Sequence, residues 1–149
     1  MSRKPGVLFL CTGNSARSLM AEALLRSLAG ESFEVWSAGT APKGVNPLTL
    51  RVLEEVGVST AGLRSKNLSE YLGRLQVQHA FIVCEAAAQQ CPALAPLAQH
   101  VHRWPFDDPA GWPGGPGAEL AKFREVRDAL RARLEGFVAA ERARLQTER

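Results

Sequence analysis

The chain is poor in cysteine, histidine and aromatic residues, and each shortage closes off a class of protein. Three cysteines and three histidines in 149 residues are too few for a disulfide framework and point instead to catalysis, redox work or metal. Zinc would have to recruit Cys84, Cys91, His100 and His102, and that cysteine spacing is wrong for the usual knuckle, so no metal is expected. Aromatics are only 7% of the residues and form no stripe beside the basic side chains, which argues against nucleic-acid binding. No apolar run approaches the roughly 18 residues that a transmembrane helix needs. The N-terminus does not read as a signal peptide, since Arg3-Lys4-Pro5 leads straight into a strand. Internal repeats and domain linkers are also missing; Pro109 to Gly117 is the one Gly/Pro-rich segment, and it reads as a flexible loop. The expectation is a single domain over residues 1–149, cytoplasmic and monomeric, with no membrane partner.

The net charge is +3. Much of the basic charge sits near the C-terminus as Arg124, Arg127, Arg131, Arg133, Arg142 and Arg144, interleaved with Glu125, Asp128, Glu135 and Glu141. Such interleaving reads as a solvated amphipathic helix face. The mild positive field that remains favours the approach of a small anion.

The informative stretch is Val7-Leu8-Phe9-Leu10-Cys11-Thr12-Gly13-Asn14-Ser15-Ala16-Arg17-Ser18. Its apolar run reads as a buried strand of a parallel sheet. From Ala16 onward Leu19, Met20, Ala23, Leu24, Leu25 and Leu28 recur with helical period. Backbone N–H groups of the loop between, joined by the first turn of the helix, form a nest for an oxyanion. The candidate binding residues are therefore Thr12, Gly13, Asn14, Ser15, Ala16 and Arg17. Arg17 adds a planar fork that grips two oxygens at once. Gly13 is expected to take backbone angles closed to other residues, and Asn14 to tolerate left-handed geometry. A cysteine at the mouth of this nest is a nucleophile, and the aligned N–H groups with the Ser18 hydroxyl favour its thiolate. Cys11 is thus expected to titrate well below a free thiol, from about 8.5 toward the range of about 3.5–7.5.

Strand and helix patterns alternate along the rest of the chain. Residues 33–39 read as a second strand, and Pro47 opens a helix that Gly57 ends. Residues 80–84 make a third strand, 101–104 a short fourth, and Ala118 to about Glu141 a long final helix. This order predicts an α/β fold of three layers, a four-stranded parallel sheet with helices on both faces. Sites in such sheets lie at the C-terminal strand ends, where both Cys11 and Cys84 fall. Cys84 and Cys91 frame a run of helix formers. If that run is helical the two lie about 10.5 Å apart along the axis, whereas a disulfide needs Cα atoms within about 4.4–6.8 Å. The pair suits a switchable disulfide, or else two buried thiols packing as small hydrophobes. Asp108, after the fourth strand, is placed to protonate a leaving oxygen, although Asp107-Asp108-Pro109 also favours a turn. His79, His100 and His102 read as surface or strand-edge residues, Trp36 and Trp104 as core, and Trp112 as exposed or as a cover for the site.

The Cys11–Ser18 loop with Met20-Ala21-Glu22 resembles the low-molecular-weight protein tyrosine phosphatase superfamily. Cys84 with Cys91-Pro92, then Trp104-Pro105-Phe106-Asp107-Asp108-Pro109-Ala110-Gly111 and Phe123-Arg124-Glu125-Val126-Arg127-Asp128, is similar to its thioredoxin-coupled arsenate reductase branch. Ser37-Ala38-Gly39 and Gly44-Val45-Asn46-Pro47 match that branch too. The resemblance implies that Cys11 attacks arsenate held by the loop and Arg17, with Ser18 supporting the thiolate and Asp108 donating a proton. Cys84 would then attack Cys11 and release arsenite, and Cys91 would form the disulfide with Cys84 that thioredoxin reduces, with no bound cofactor. Phosphate would compete for the loop, and a weak phosphatase activity is expected. Where relatives hold potassium, Asn14, Glu22 and Ser37 match, but Ser65 and Asn67 stand where those relatives have Thr and Asp. The alternatives are a low-molecular-weight protein tyrosine phosphatase, against which Ala110 replaces an aromatic, and a non-enzymatic thiol sensor.

Overall fold

The computed structural model describes residues 4–71, 73, 76–84 and 98–147. Strand β1 (Gly6–Cys11) is buried at every position, as a strand covered on both faces must be. It lies between β2 (Glu34–Gly39) and β3 (Val77–Ile82), and β4 (Ala98–Arg103) closes the sheet at the edge. The order is β2-β1-β3-β4 and every pairing is parallel. Helix α1 (Arg17–Ala29) connects β1 to β2, and residues Ser18 to Leu25 along it are all buried. A helix apolar around most of its circumference has to be sandwiched. Here α1 packs against β1, β2 and the last helix, α3 (Pro116–Thr147), which also contacts α2 (Pro47–Glu54).

Element types follow the sequence reading, and three elements shift their bounds most. β3 begins earlier than the apolar run and stops at Ile82, so Cys84 lies just past the strand. β4 begins at Ala98, because edge pairing with β3 extends into polar residues such as His100. The final helix runs on to Thr147, since Ala, Arg, Leu and Gln are strong helix formers and Arg144 pairs with Glu141 at 3.0 Å.

Packing also revises four side-chain expectations. His79 is buried, not at the surface; its Nδ1 lies 2.9 Å from His102 Nε2 and its ring stacks on His100 and Phe81. Burial lowers its pKa to about 4, with Glu141 opposing the shift. Trp36 and Trp104 are only partly buried, resting on the core from its margin. Arg127 does not belong to a solvated face: it is buried and donates to the Val52 carbonyl and to Glu55, both at 2.9 Å. Of the two readings for Trp112 the exposed one holds: it is 37% exposed and does not line the cavity described below, and the Lys122 ammonium lies 4.2 Å from its ring centre.

Candidate active site

The loop from Cys11 to Arg17 is shaped from outside. Its carbonyl oxygens are held by the segment that follows β2. Thr40, Ala41 and Lys43 donate backbone N–H groups to the carbonyls of Cys11, Thr12 and Gly13 at 3.3, 2.9 and 3.0 Å. Asn46 N–H and Thr49 Oγ1 both donate to the Ser15 carbonyl, at 3.1 and 2.8 Å. With the carbonyls drawn outward, the intervening N–H groups turn inward, and the first N–H groups of α1 have no intrahelical partner to satisfy. The result is a cavity of about 260 Å³ lined by Cys11, Thr12, Gly13, Ser15, Ala16 and Arg17, with Ala41, Lys43, Asp108 and Ala110 on its rim. It combines the backbone nest with the cationic side chains of Arg17 and Lys43, a combination suited to a small oxyanion.

Within the loop the special backbone angle belongs to Asn14, at φ 43°, and not to Gly13. Gly13 instead makes room for another segment: a Cβ there would lie 2.7 Å from Cε of Lys43, a flexible side chain that would have to shift. Gly39 at the end of β2 serves the same purpose, since its Cβ would meet the Thr12 carbonyl oxygen at 2.5 Å. The fully buried Asn14 side chain donates through Nδ2 to Ser18 Oγ at 2.8 Å and Ser37 Oγ at 3.0 Å.

The Cys11 sulfur is buried, 2.9 Å from Ser18 Oγ, and accepts the Asn14 backbone N–H at 3.2 Å. Cys84 stands beside it. Its sulfur accepts the Thr12 N–H at 3.2 Å, and no disulfide joins the two. This neighbour overturns the expectation of a low Cys11 pKa. Hydrogen bonding with Cys84 and then burial push the Cys11 thiol well up, while the Ser18 hydroxyl and backbone N–H pull it down. Two sulfurs in contact inside the protein resist a second negative charge.

Arg17 is anchored by Nη1 to the Phe106 carbonyl at 2.9 Å, and its Nη2 lies 3.6 Å from Asp108 Oδ2. The Ala110 N–H holds the other Asp108 oxygen at 3.0 Å, so the carboxylate faces the cavity. Asp107 turns away to pair with Lys122 at 3.0 Å. Cys91 lies outside the described residues. Residues 41, 43, 49 and 66 carry no signal in the sequence, because their contacts, main-chain for Ala41 and Lys43 and side-chain for Thr49 and Lys66, exist only in the folded chain. Among the described residues no cluster of three His, Cys, Asp or Glu side chains could hold a metal ion, and no helix is long and apolar enough to cross a membrane.

Comparison with known proteins agrees with this geometry. Residues 6–149 match the family described as low molecular weight phosphotyrosine protein phosphatase. An arsenate reductase of Halalkalibacterium halodurans is 38% identical over 137 residues, 90% of this chain and 95% of its own length. A solved arsenate reductase in the phosphate binding state superposes with a TM-score of 0.78 at 26% identity, covering 91% of this chain and 98% of that one. A thioredoxin-dependent arsenate reductase of Corynebacterium glutamicum gives 0.69 at 28% identity, covering 93% of this chain and 62% of that protein.

Proposed function

We propose, for a chain that belongs to the low molecular weight phosphotyrosine protein phosphatase family, that it reduces arsenate to arsenite by a relay of its three cysteines. The observation that carries the reading is a second thiol beside the first: Cys11 sits in the oxyanion nest, and the Cys84 sulfur accepts the N–H of the next residue, Thr12, at 3.2 Å. Hydrolysis of a phosphate ester transfers no electrons and needs no second thiol. Reduction of arsenate takes two electrons, which a dithiol supplies.

Arsenate enters the loop, where the N–H nest and Arg17 hold three of its oxygens. The Cys11 thiolate forms a sulfur–arsenic bond as one arsenic–oxygen bond breaks, and the hydroxyl oxygen leaves as water with the Asp108 proton. Ser18 holds the attacking sulfur. The Cys84 thiolate then attacks Cys11 Sγ. A disulfide forms, the sulfur–arsenic bond breaks, and its electron pair stays on arsenic, which departs as arsenite. Cys91 attacks Cys84 in turn, frees the Cys11 thiolate and leaves a Cys84–Cys91 disulfide. An external dithiol of the thioredoxin class restores that pair by exchange, and no bound cofactor takes part.

Ala110 on the cavity rim offers no aromatic wall for a phosphotyrosine ring, which disfavours a dedicated tyrosine phosphatase. The nest itself still accepts phosphate, so a weak esterase activity accompanies the main one. Arsenite production measured with thioredoxin, thioredoxin reductase and NADPH, beside parallel assays with glutaredoxin and glutathione, tests the reading. Sustained turnover with the thioredoxin system alone is expected. Turnover that depends on glutathione, or esterase activity with no arsenite, contradicts it.

A further inference from the structure

Behind the oxyanion loop a lysine ammonium is buried almost completely. Lys66 is 4% exposed, and its Nζ donates to Glu22 Oε1 at 3.2 Å, Ser37 Oγ at 3.2 Å and the Arg64 carbonyl at 2.7 Å. An ammonium has three protons and no acceptor, so these contacts satisfy it. Its main chain is fixed as well. The Lys66 carbonyl accepts the Gly39 N–H at 2.8 Å, and the next residue, Asn67, bridges to Gly39 as a parallel strand would.

Counting donors sets the direction of the bonds from this ammonium as far as Ser18. The Lys66 backbone N–H donates to Asn14 Oδ1 at 2.7 Å, which leaves Asn14 Nδ2 facing the two serines. Ser37 Oγ receives protons from both Lys66 and Asn14, so its own hydroxyl can only donate, and it meets Glu22 Oε1 at short range. Ser18 Oγ receives a proton from Asn14, which leaves its own hydroxyl to donate to the Cys11 sulfur 2.9 Å away once that sulfur is a thiolate. Removing the ammonium undoes the sequence. Glu22 would keep only Arg26 as its cation, at 2.7 Å and on the more exposed side, and Ser37 Oγ would lose one of the two donors that fix the direction of its hydroxyl.

We propose that Lys66 is a positioning residue for Cys11, a tethered internal cation that fixes the Glu22–Ser37–Asn14–Ser18 chain so that the Ser18 hydroxyl donates to the Cys11 sulfur. The inference rests on the function proposed above only in taking Cys11 as the nucleophile, and its test needs no arsenate. The ionisable groups facing Lys66 are Glu22 and Arg26 from α1, with Arg64, Glu70 and Tyr71 from the segment after α2. Those facing Cys11 are Cys84 and, lining the same cavity, Arg17, Lys43 and Asp108. The test uses the full chain carrying Cys84→Ser and Cys91→Ser, so that Cys11 is the one thiol alkylated and its largest neighbour is gone.

Alkylation rate against pH is compared with and without Lys66→Met. The expected result is a midpoint raised by about one unit, which is about a tenfold slower reaction at neutral pH. In Lys66→Ala, added methylammonium or propylammonium should restore the rate, and choline, too large for the space, should not. Where Lys66→Met lowers the melting temperature too far, the double variant Glu22→Gln, Lys66→Met removes the buried charge imbalance and should show the same raised midpoint. A folded variant whose Cys11 profile matches the parent, or an alanine variant indifferent to small amines, overturns the proposal and leaves Lys66 a purely structural ion pair. Failure of arsenate reduction with the alkylation results intact would fall on the proposed function alone.

Discussion

At the scale of single residues, the reactivity of Cys11 is a contest between neighbours. Cys84 and burial raise its pKa; Ser18 lowers it. The thiolate is present above the pKa and lost below it, so removing the largest raising influence must extend reactivity to lower pH. Cys84→Ser is expected to move the midpoint of Cys11 alkylation downward, measured by rate against pH, and an upward move would contradict this account of the pair. The same logic gives Cys84 a second role, since the thiol that later attacks Cys11 also restrains it beforehand. For the acid, Asp108 reaches the cavity and Asp107 does not. Asp108→Asn should lower turnover by about 10²–10⁴-fold while anion binding persists, as loss of a positioned general acid does. Asp107→Asn should cost far less, and steady-state kinetics of the two variants would expose a wrong assignment.

At the scale of elements, the strand–loop–helix unit was legible because its pattern is local: an apolar run, a loop with a left-handed Asn14, then helical period. What escaped the sequence was everything that required a second segment. The role given to Gly13 was wrong because the left-handed angle falls on Asn14, while the glycine makes room for Lys43, a residue distant in sequence. The clasp of residues 40–49 on the loop carbonyls is made largely by main-chain N–H groups, which carry no signature in residue type. The α2–α3 contact shows the same blindness, for Arg127 looked like one more charge on a solvated face. Folded, it donates to Val52 and Glu55, while Glu55 is held at a pKa of about 2 by Arg124 first and Arg127 after. Hydrogen bonds to charged groups contribute about 1.5–3 kcal/mol. Arg127→Ala should therefore destabilise the protein by about that much in urea unfolding, and Arg124→Ala, which pairs with the same Glu55 but is itself more exposed, by less.

For the whole molecule, the parallel topology brings the chemistry together. With β1 between β2 and β3, three strand ends converge: Cys11 at the end of β1, Gly39 and its clasp after β2, and Cys84 after β3. The segment following β4 then carries Asp108 across to Arg17. One edge of the sheet thus gathers an oxyanion nest, an acid and two thiols in contact, and the central claim is that this assembly moves two electrons from cysteines to arsenic. The most direct measurement uses Cys91→Ser, mixed with arsenate and without external reductant, followed by arsenite quantification and disulfide mapping by mass spectrometry. About one arsenite per protein molecule and a Cys11–Cys84 disulfide are expected, because the thiol that would resolve it is gone. Repeated turnover of this variant with thioredoxin, or arsenite released with Cys84 still reduced, would contradict the three-cysteine relay.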